Sequence, residues 1–460
     1  MTKPLRFAVL FLLLCLPVSA LADPVDDLVR EALKENDIPG AAVAVLRDGK
    51  VVKMAGYGLA DVENRVSVTP DTVFQLGSVG KQFTAAAVLL LESDGKLSVY
   101  DTVSKYLPYA PAAWKEITVR NLLTHTSGIP DYTPLVDLTR DQSAEETAKQ
   151  VAAKPLDFAP GTKWDYSNTN YLLLGEIIEK ASGKFYGDFL RERIFAPLEM
   201  TTARVNSDQD IIPRRASGYE FTRNGTLKNQ AYVAPQINTY ADGSLVMSVR
   251  DLAKWAAALE GEKLFTAAQK RTLWTPATLT DGTRTEYGYG WEVRRYNDRP
   301  VISHAGAWQG FVSYIARYPE DKLTVLVLLN RADVRLPLGP QIAGVYVPAL
   351  KPGAAKPAAV YQDPAVIGLI REVITELASD QVKQERFTPD LWKLIQPEKK
   401  SPVVAVLKQL GPPREVEIQK VRRIGDEQNY QVEVRFRTQT VRCLIAIAPD
   451  NKIAGLLFTR

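Results

Sequence analysis

Three short stretches of this 460-residue chain combine residue types that can do chemistry. The first is Ser78-Val79-Gly80-Lys81. A serine hydroxyl is a weak nucleophile at neutral pH unless a neighbour takes its proton. A lysine held in a dry pocket can lose its charge and serve as that base, or assist another group that does. The second stretch is Tyr166-Ser167-Asn168. A tyrosine hydroxyl beside an ammonium gives up its proton more readily, so Tyr166 can take the serine proton and later hand it to a leaving group. The Asn168 amide both donates and accepts, which suits orienting Lys81 and a substrate amide together. The third stretch is His304-Ala305-Gly306-Ala307, whose small residues leave the backbone open, so that the Ala307 N–H can face a ligand carbonyl. Each stretch has a plainer reading: an N-cap followed by a solvated lysine, a turn with an exposed aromatic, and a strand-end histidine at the surface. The chemical reading rests on their occurring together.

The elements around them are legible. Thr84 to Glu92 is rich in helix formers and is closed by Gly95 as a C-cap, so Ser78 opens a mostly apolar, buried helix with Lys81 one turn along on the same face. Pro160-Gly161 is a turn, and a helix runs from about Asn170 to Gly183, which leaves Tyr166 and Asn168 on the loop before it. Asp26 to Asn36 reads as an amphipathic helix; Ala41 to Leu46 and Val51 to Tyr57 form a hairpin about Asp48-Gly49. Near the other end, Tyr287 to Val293 begins a strand and Val301 to Phe311 continues the sheet. Val312 to Tyr318 and Leu323 to Leu329 form a last hairpin. The other of the chain's two histidines, His125, has no acidic partner beside it in sequence. It reads as a buried loop histidine, hydrogen-bonded to backbone, that holds the turn before Gly128.

The chain-wide properties mainly exclude. Lysine and arginine total 57 against 53 acidic residues, a net +4, so nothing calls for nucleic acid or an anionic surface. Lys3 and Arg6, the apolar run Phe7 to Leu16 and Ala20-Leu21-Ala22 have the form of a cleavable leader over residues 1–22, which implies export to the periplasm or medium and no transmembrane anchor once it is removed. Cys15 lies inside the apolar run rather than behind a small-residue lipobox, so lipidation is not expected. With Cys443 as the single cysteine beyond residue 22 and only two histidines, neither an intrachain disulfide nor a metal or other cofactor is expected.

Taken together, Ser78-Val79-Gly80-Lys81, Tyr166-Ser167-Asn168 and His304-Ala305-Gly306 resemble the three active-site motifs of the serine β-lactamase and penicillin-binding-protein superfamily. The tyrosine of the second motif resembles the branch of class C β-lactamases, D-alanyl-D-alanine carboxypeptidases and related esterases. Leu122-Leu123-Thr124-His125-Thr126-Ser127-Gly128 and Ala241-Asp242-Gly243-Ser244-Leu245 are similar to that branch too. The resemblance spans roughly Val25 to Leu350. It implies an α+β fold: an antiparallel sheet flanked by helices, an all-helical lobe, and a cleft between them.

Carried onto this chain, the resemblance implies Ser78 as the acylated nucleophile and Lys81 and Tyr166 as shared general base. Asn168, His304, Gly306 and Ala307 would be substrate-binding positions, with the Ser78 and Ala307 N–H groups as the oxyanion hole. The third motif departs from the Lys-Thr-Gly of class C β-lactamases. A neutral His304 beside Ala305 would hold a substrate carboxylate less firmly than a lysine–threonine pair, which points toward a carboxypeptidase or esterase rather than an efficient β-lactamase. The implied partner is a small-molecule or peptide substrate such as a cell-wall peptide of D-Ala type, an ester or a β-lactam. The alternative is a non-catalytic penicillin-binding or ligand-sensing protein using the same pocket.

Beyond a hydrolase domain over 23–350, the Pro/Ala-rich stretch 351–361 reads as a linker and 362–460 as a small α+β domain of unassigned role. A helix over Pro364 to Ala378 and four β-prone runs, Arg414 to Ile424, Tyr430 to Thr438, Val441 to Ala448 and Lys452 to Thr459, suggest an antiparallel meander that resembles the nuclear-transport-factor-like group. Cys443 falls mid-strand and reads as a small buried hydrophobe.

Overall fold

The computed structural model describes residues 23–352 except 223, 224, 333 and 335, and residues 364–459 except 380, 397–403, 405, 406, 409, 425, 426, 438 and 439. The leader-like residues 1–22 and all but the first two residues of the linker-like stretch lie outside the described residues. Two compact units divide the chain, Met1–Pro352 and Gly353–Arg460.

The larger unit is built on an antiparallel sheet of seven strands. They are β1 (Gly40–Arg47), β2 (Lys50–Asp61), β3 (Val66–Ser67), β4 (Glu292–Tyr296), β5 (Arg299–Trp308), β6 (Phe311–Tyr318) and β7 (Leu323–Leu329), in the spatial order β3-β2-β1-β7-β6-β5-β4. The two ends of the sequence thus meet in mid-sheet, with Ala41 opposite Leu329 and Arg47 opposite Leu323. β1 reads as an unbroken apolar run because both of its faces are covered. Ala41, Val43 and Val45 pack with α1 (Pro24–Glu35) and with Leu338 and Ile342, while Ala42, Ala44 and Leu46 join the large core on the opposite face.

That large core contains the helical lobe. Its centre is α2 (Lys81–Ser93), buried on every side from Lys81 to Leu91, as its lack of a polar face requires. Beside it runs α3 (Asn168–Ser182), ended by Gly183 at φ +71°, a left-handed cap that glycine adopts without steric cost. The antiparallel sheet, flanking helices and helical lobe are those expected from the sequence.

Local boundaries differ in places. α3 begins at Asn168 rather than at about Asn170, so of the second motif's two side chains only Tyr166 stays on the preceding loop. Ser78 does not cap a helix: it lies in a 3₁₀ turn, Gly77–Gly80, that runs straight into α2. Residues 130–155, which in sequence read as helical, surface-exposed cover over the cleft, are mostly loop, with helix confined to Ala144–Ala152, where a Ser143/Glu146 capping box starts it.

The smaller unit holds α4 (Pro364–Ser379), α5 (Pro389–Ile395) and a four-stranded antiparallel meander, β8 (Glu415–Ile424), β9 (Glu427–Arg435), β10 (Thr440–Ile447) and β11 (Ile453–Thr459). Its core gathers Ile370, Ile374 and Leu377 of the helix with Ile418, Val432, Cys443 and Ile445 of the sheet. Cys443 is fully buried, and burial pushes its thiol up to about 12, so it behaves as a hydrophobe rather than a nucleophile.

Candidate active site

Backbone contacts place the serine turn against the edge of the sheet. Gly77 has φ +52°, and a side chain there would meet the Ala307 nitrogen at 2.8 Å. On β5, a Cβ at Gly306 would lie 2.0 Å from the Leu76 carbonyl oxygen and 2.9 Å from the Val79 nitrogen. The third motif therefore needs glycine for approach, since any larger residue would push β5 off the turn that carries Ser78. β4 pairs with β5 only as far as Ser303, so the outer edge of Ala305–Trp308 has no strand beside it among the described residues. Ala305 and Ala307 are exposed there.

Lys81 is completely buried, yet all of its hydrogen-bonding capacity is met. Its Nζ lies 3.0 Å from Ser78 Oγ, 2.8 Å from Asn168 Oδ1 and 2.7 Å from the Asp242 carbonyl oxygen. Two of these partners can only accept. As an ammonium, Lys81 donates to all three; as a neutral amine it donates to Asn168 and Asp242 and turns its lone pair toward the Ser78 hydroxyl. The same geometry therefore serves both protonation states. The Asp242 side chain is itself buried. Burial pushes its carboxyl up from the ordinary value, opposed by the Lys81 charge and by the Tyr132 hydroxyl, which donates to it at 3.1 Å.

The Asn168 amide is fixed by Asp131, which sequence reasoning did not single out. Asn168 Nδ2 donates to Asp131 Oδ2 at 2.9 Å, so Oδ1 must face Lys81. The backbone N–H of Asn168, in the first turn of α3, donates to the same carboxylate oxygen at 2.8 Å, a favourable place for a negative charge. Thr133 completes the shell through its N–H and hydroxyl on Asp131 Oδ1. The sequence signal is weak: Asp131-Tyr132-Thr133 is a local turn, and nothing announces its pairing 37 residues away.

Tyr166 approaches Lys81 from another direction, its ring centroid 5.0 Å from Nζ. Its hydroxyl is enclosed and has no hydrogen-bond partner among the described residues. Beneath the ring lies an aromatic cluster that includes both histidines. His125 stacks at 4.2 Å between centroids, while Tyr287 and His304 lie at 6.2 Å each.

His304 is turned inward. Its Nδ1 donates to the Ala305 carbonyl at 2.6 Å, and its Nε2 accepts from the Tyr287 hydroxyl at 2.8 Å. Neither ring nitrogen is left for the substrate contact expected of it. Burial, reinforced by the Lys81 charge, holds its pKa down to about 3, so the ring is neutral. His125 is a buried, backbone-bonded histidine as expected, but the backbone it bonds is that of Ser167 rather than the turn before Gly128.

The family model described as Beta-lactamase matches residues 25–341. Penicillin-binding protein 4* of Bacillus subtilis is 29% identical over 321 residues, covering 66% of this chain and 70% of that protein. Among solved structures, the octameric penicillin-binding protein homologue from Pyrococcus abyssi aligns over 95% of this chain and 98% of its own, with a TM-score of 0.64 and 24% identity. The D-amino acid amidase from Ochrobactrum anthropi, in complex with L-phenylalanine amide, aligns over 67% of this chain and 91% of its own, with a TM-score of 0.59 and 26% identity.

Proposed function

The chain belongs to the β-lactamase family of serine hydrolases, and from that premise we propose that it hydrolyses small D-aminoacyl amides or esters, in preference to carboxylate-terminated D-Ala-type peptides, through an acyl-enzyme on Ser78. The observation that carries the reading is the 3.0 Å contact of Lys81 Nζ with Ser78 Oγ, made by a buried lysine whose other partners are fixed. In acylation, Ser78 Oγ bonds to the substrate carbonyl carbon while its proton passes to the Lys81/Tyr166 pair. The carbonyl oxygen takes up the negative charge facing the Ser78 and Ala307 N–H groups. The leaving amine or alcohol departs with a proton returned through Tyr166, and water then cleaves the ester on Ser78 by the same route in reverse.

The substrate class is argued from the third motif. With both His304 nitrogens engaged and Ala305 lacking a hydroxyl, the third motif offers no side-chain cation or hydroxyl for a carboxylate. That favours substrates neutral at this end, such as an amide or ester, over penicillins. The amidase similarity is consistent with this preference. We place the activity outside the cytoplasmic membrane on the leader-like pattern of residues 1–22.

The test is incubation of the protein and a Ser78→Ala variant with a chromogenic ester, a D-amino acid amide, an acyl-D-Ala-D-Ala peptide and a cephalosporin. Intact-mass and peptide spectra then locate any adduct. Turnover of the ester or amide with an adduct on Ser78, both absent from the variant, is the expected result. Binding of all four without an adduct would instead make the protein a ligand sensor, and a preference for the cephalosporin would overturn the substrate assignment.

A further inference from the structure

A residue whose hydroxyl must stay free to carry a proton cannot be anchored by that hydroxyl. Tyr166 is such a residue, since its hydroxyl bonds to nothing among the described residues, and its position has to come from its ring and its chain neighbours. Both lead to His125. The His125 carbonyl accepts from the Asp165 N–H at 3.0 Å, and His125 Nδ1 accepts from the Ser167 N–H at 3.2 Å. One residue thus bonds the backbone immediately before and immediately after Tyr166. The same imidazole lies against the Tyr166 ring, 4.2 Å between centroids and 31° between planes.

The direction of these bonds fixes the state of the ring. A backbone N–H can only donate, so Nδ1 must be unprotonated. Asn170 enforces this, placing Nδ2 3.1 Å from Nδ1 while its Oδ1 accepts the Ser127 hydroxyl proton at 2.6 Å. Tyr171 of α3 and Tyr287 close around the ring at 5.1 and 4.8 Å. Burial, with the charges of Lys81 and of any protonated His304 adding to it, holds His125 well below the ordinary histidine value. The backbone is also committed. His125 has φ +55°, in the left-handed region that most residues avoid and that glycine, asparagine, aspartate and histidine enter more readily. In that conformation its carbonyl and its ring both address the segment 165–167.

We propose that His125 is a positioning residue for Tyr166, a neutral clamp that bonds the chain on either side of it and backs its ring, so that the phenol is held toward Ser78 and Lys81 with its hydroxyl free. The inference rests on the reading of Tyr166 as a proton carrier in acylation. It separates two jobs that the family's second motif would otherwise do alone: Tyr166 supplies the oxygen, and His125 supplies its placement.

The test compares His125→Asn, His125→Leu and Tyr166→Phe for acylation by a p-nitrophenyl ester, with KM, melting temperature and the Ser78 adduct measured alongside. Asparagine suits the left-handed backbone, and its Oδ1 can stand where Nδ1 stands; leucine offers no acceptor. The expected result is kcat lowered about 100-fold in His125→Leu with KM within about threefold, and restored to within about tenfold of wild type in His125→Asn. Wild-type kcat in His125→Leu would overturn the clamp, as would an asparagine variant, folded like wild type, that loses 100-fold or more. Should the leucine variant fail to fold, the asparagine variant alone decides by that same threshold. A Tyr166→Phe variant at the wild-type rate would instead overturn the role of Tyr166, and the clamp with it. A slow Tyr166→Phe beside a fast His125→Leu overturns the clamp only.

Discussion

Lys81 is saturated: each of its three directions meets an oxygen, those of Ser78, of the Asn168 amide that Asp131 fixes, and of the Asp242 backbone. Tyr166, whose ring lies 5.0 Å from Lys81 Nζ, contributes an oxygen that meets nothing among the described residues, beside a layer of rings. Both groups are drawn from the helical lobe, but only Lys81 is in hydrogen-bond contact with Ser78. The difference teaches a division of labour. A charge in a buried site must be hydrogen-bonded to be tolerated, so Lys81 is fixed and its shell is part of the fold. In the proposed acylation Tyr166 accepts and returns a proton and gains from an unspent lone pair, so it is fixed only through its surroundings.

Removing each group in turn is the strongest way to break that contrast. Lys81→Met leaves Asn168 Oδ1 and the Asp242 carbonyl without their donor, so it is expected to lower kcat at least about 1,000-fold and to cost about 2–4 kcal/mol of stability, read from urea unfolding. Tyr166→Phe removes an oxygen that bonds nothing among the described residues. It should lower kcat about 100- to 10,000-fold while leaving the unfolding midpoint almost unchanged. Equal losses of stability in the two variants would erase the distinction.

The ring layer can be tested by pH. His304 has a native pKa near 3 against about 6.5 when unfolded, so the unfolded chain binds more protons between those values. Stability is therefore expected to decline as pH falls from about 6.5 toward 3, by up to about 5 kcal/mol for this group alone. His304→Gln cannot take up that proton and should show a shallower decline in unfolding free energy across the same window.

The smallest effect is expected at the outer end of the Lys81 shell. Asp131→Ala frees the Asn168 amide to rotate and removes the acceptor of the α3 N-terminus, so kcat should fall about tenfold with a stability loss of about 1–2 kcal/mol. Asp131→Asn keeps an acceptor and should recover part of both.

Much of this protein was legible without coordinates wherever the signal is local. The apolar run of β1, the hairpins, the helix after Ser78 and the meander of the smaller unit all follow from periodicity and turn residues over ten or so positions. Ser78 and Lys81 are three residues apart on a continuous helical turn, and their contact was implied by spacing alone. The loop nature of residues 130–155 was not, because a mixed polar stretch carries no period.

What remained invisible depends on pairings across the chain. The Asp242 carbonyl that holds Lys81 is a backbone group and leaves no mark in residue type. Asp131 meets Asn168 only because a loop is laid across the start of α3. His304 looks like a cleft residue in sequence, and its inward turn depends on Tyr287, 17 positions earlier, offering a hydroxyl from beneath. Sequence by itself determined which residues are chemically able and which local element carries each. The tertiary structure alone decided which of their donors and acceptors are already spent, because that is set by neighbours distant in the chain and close in space.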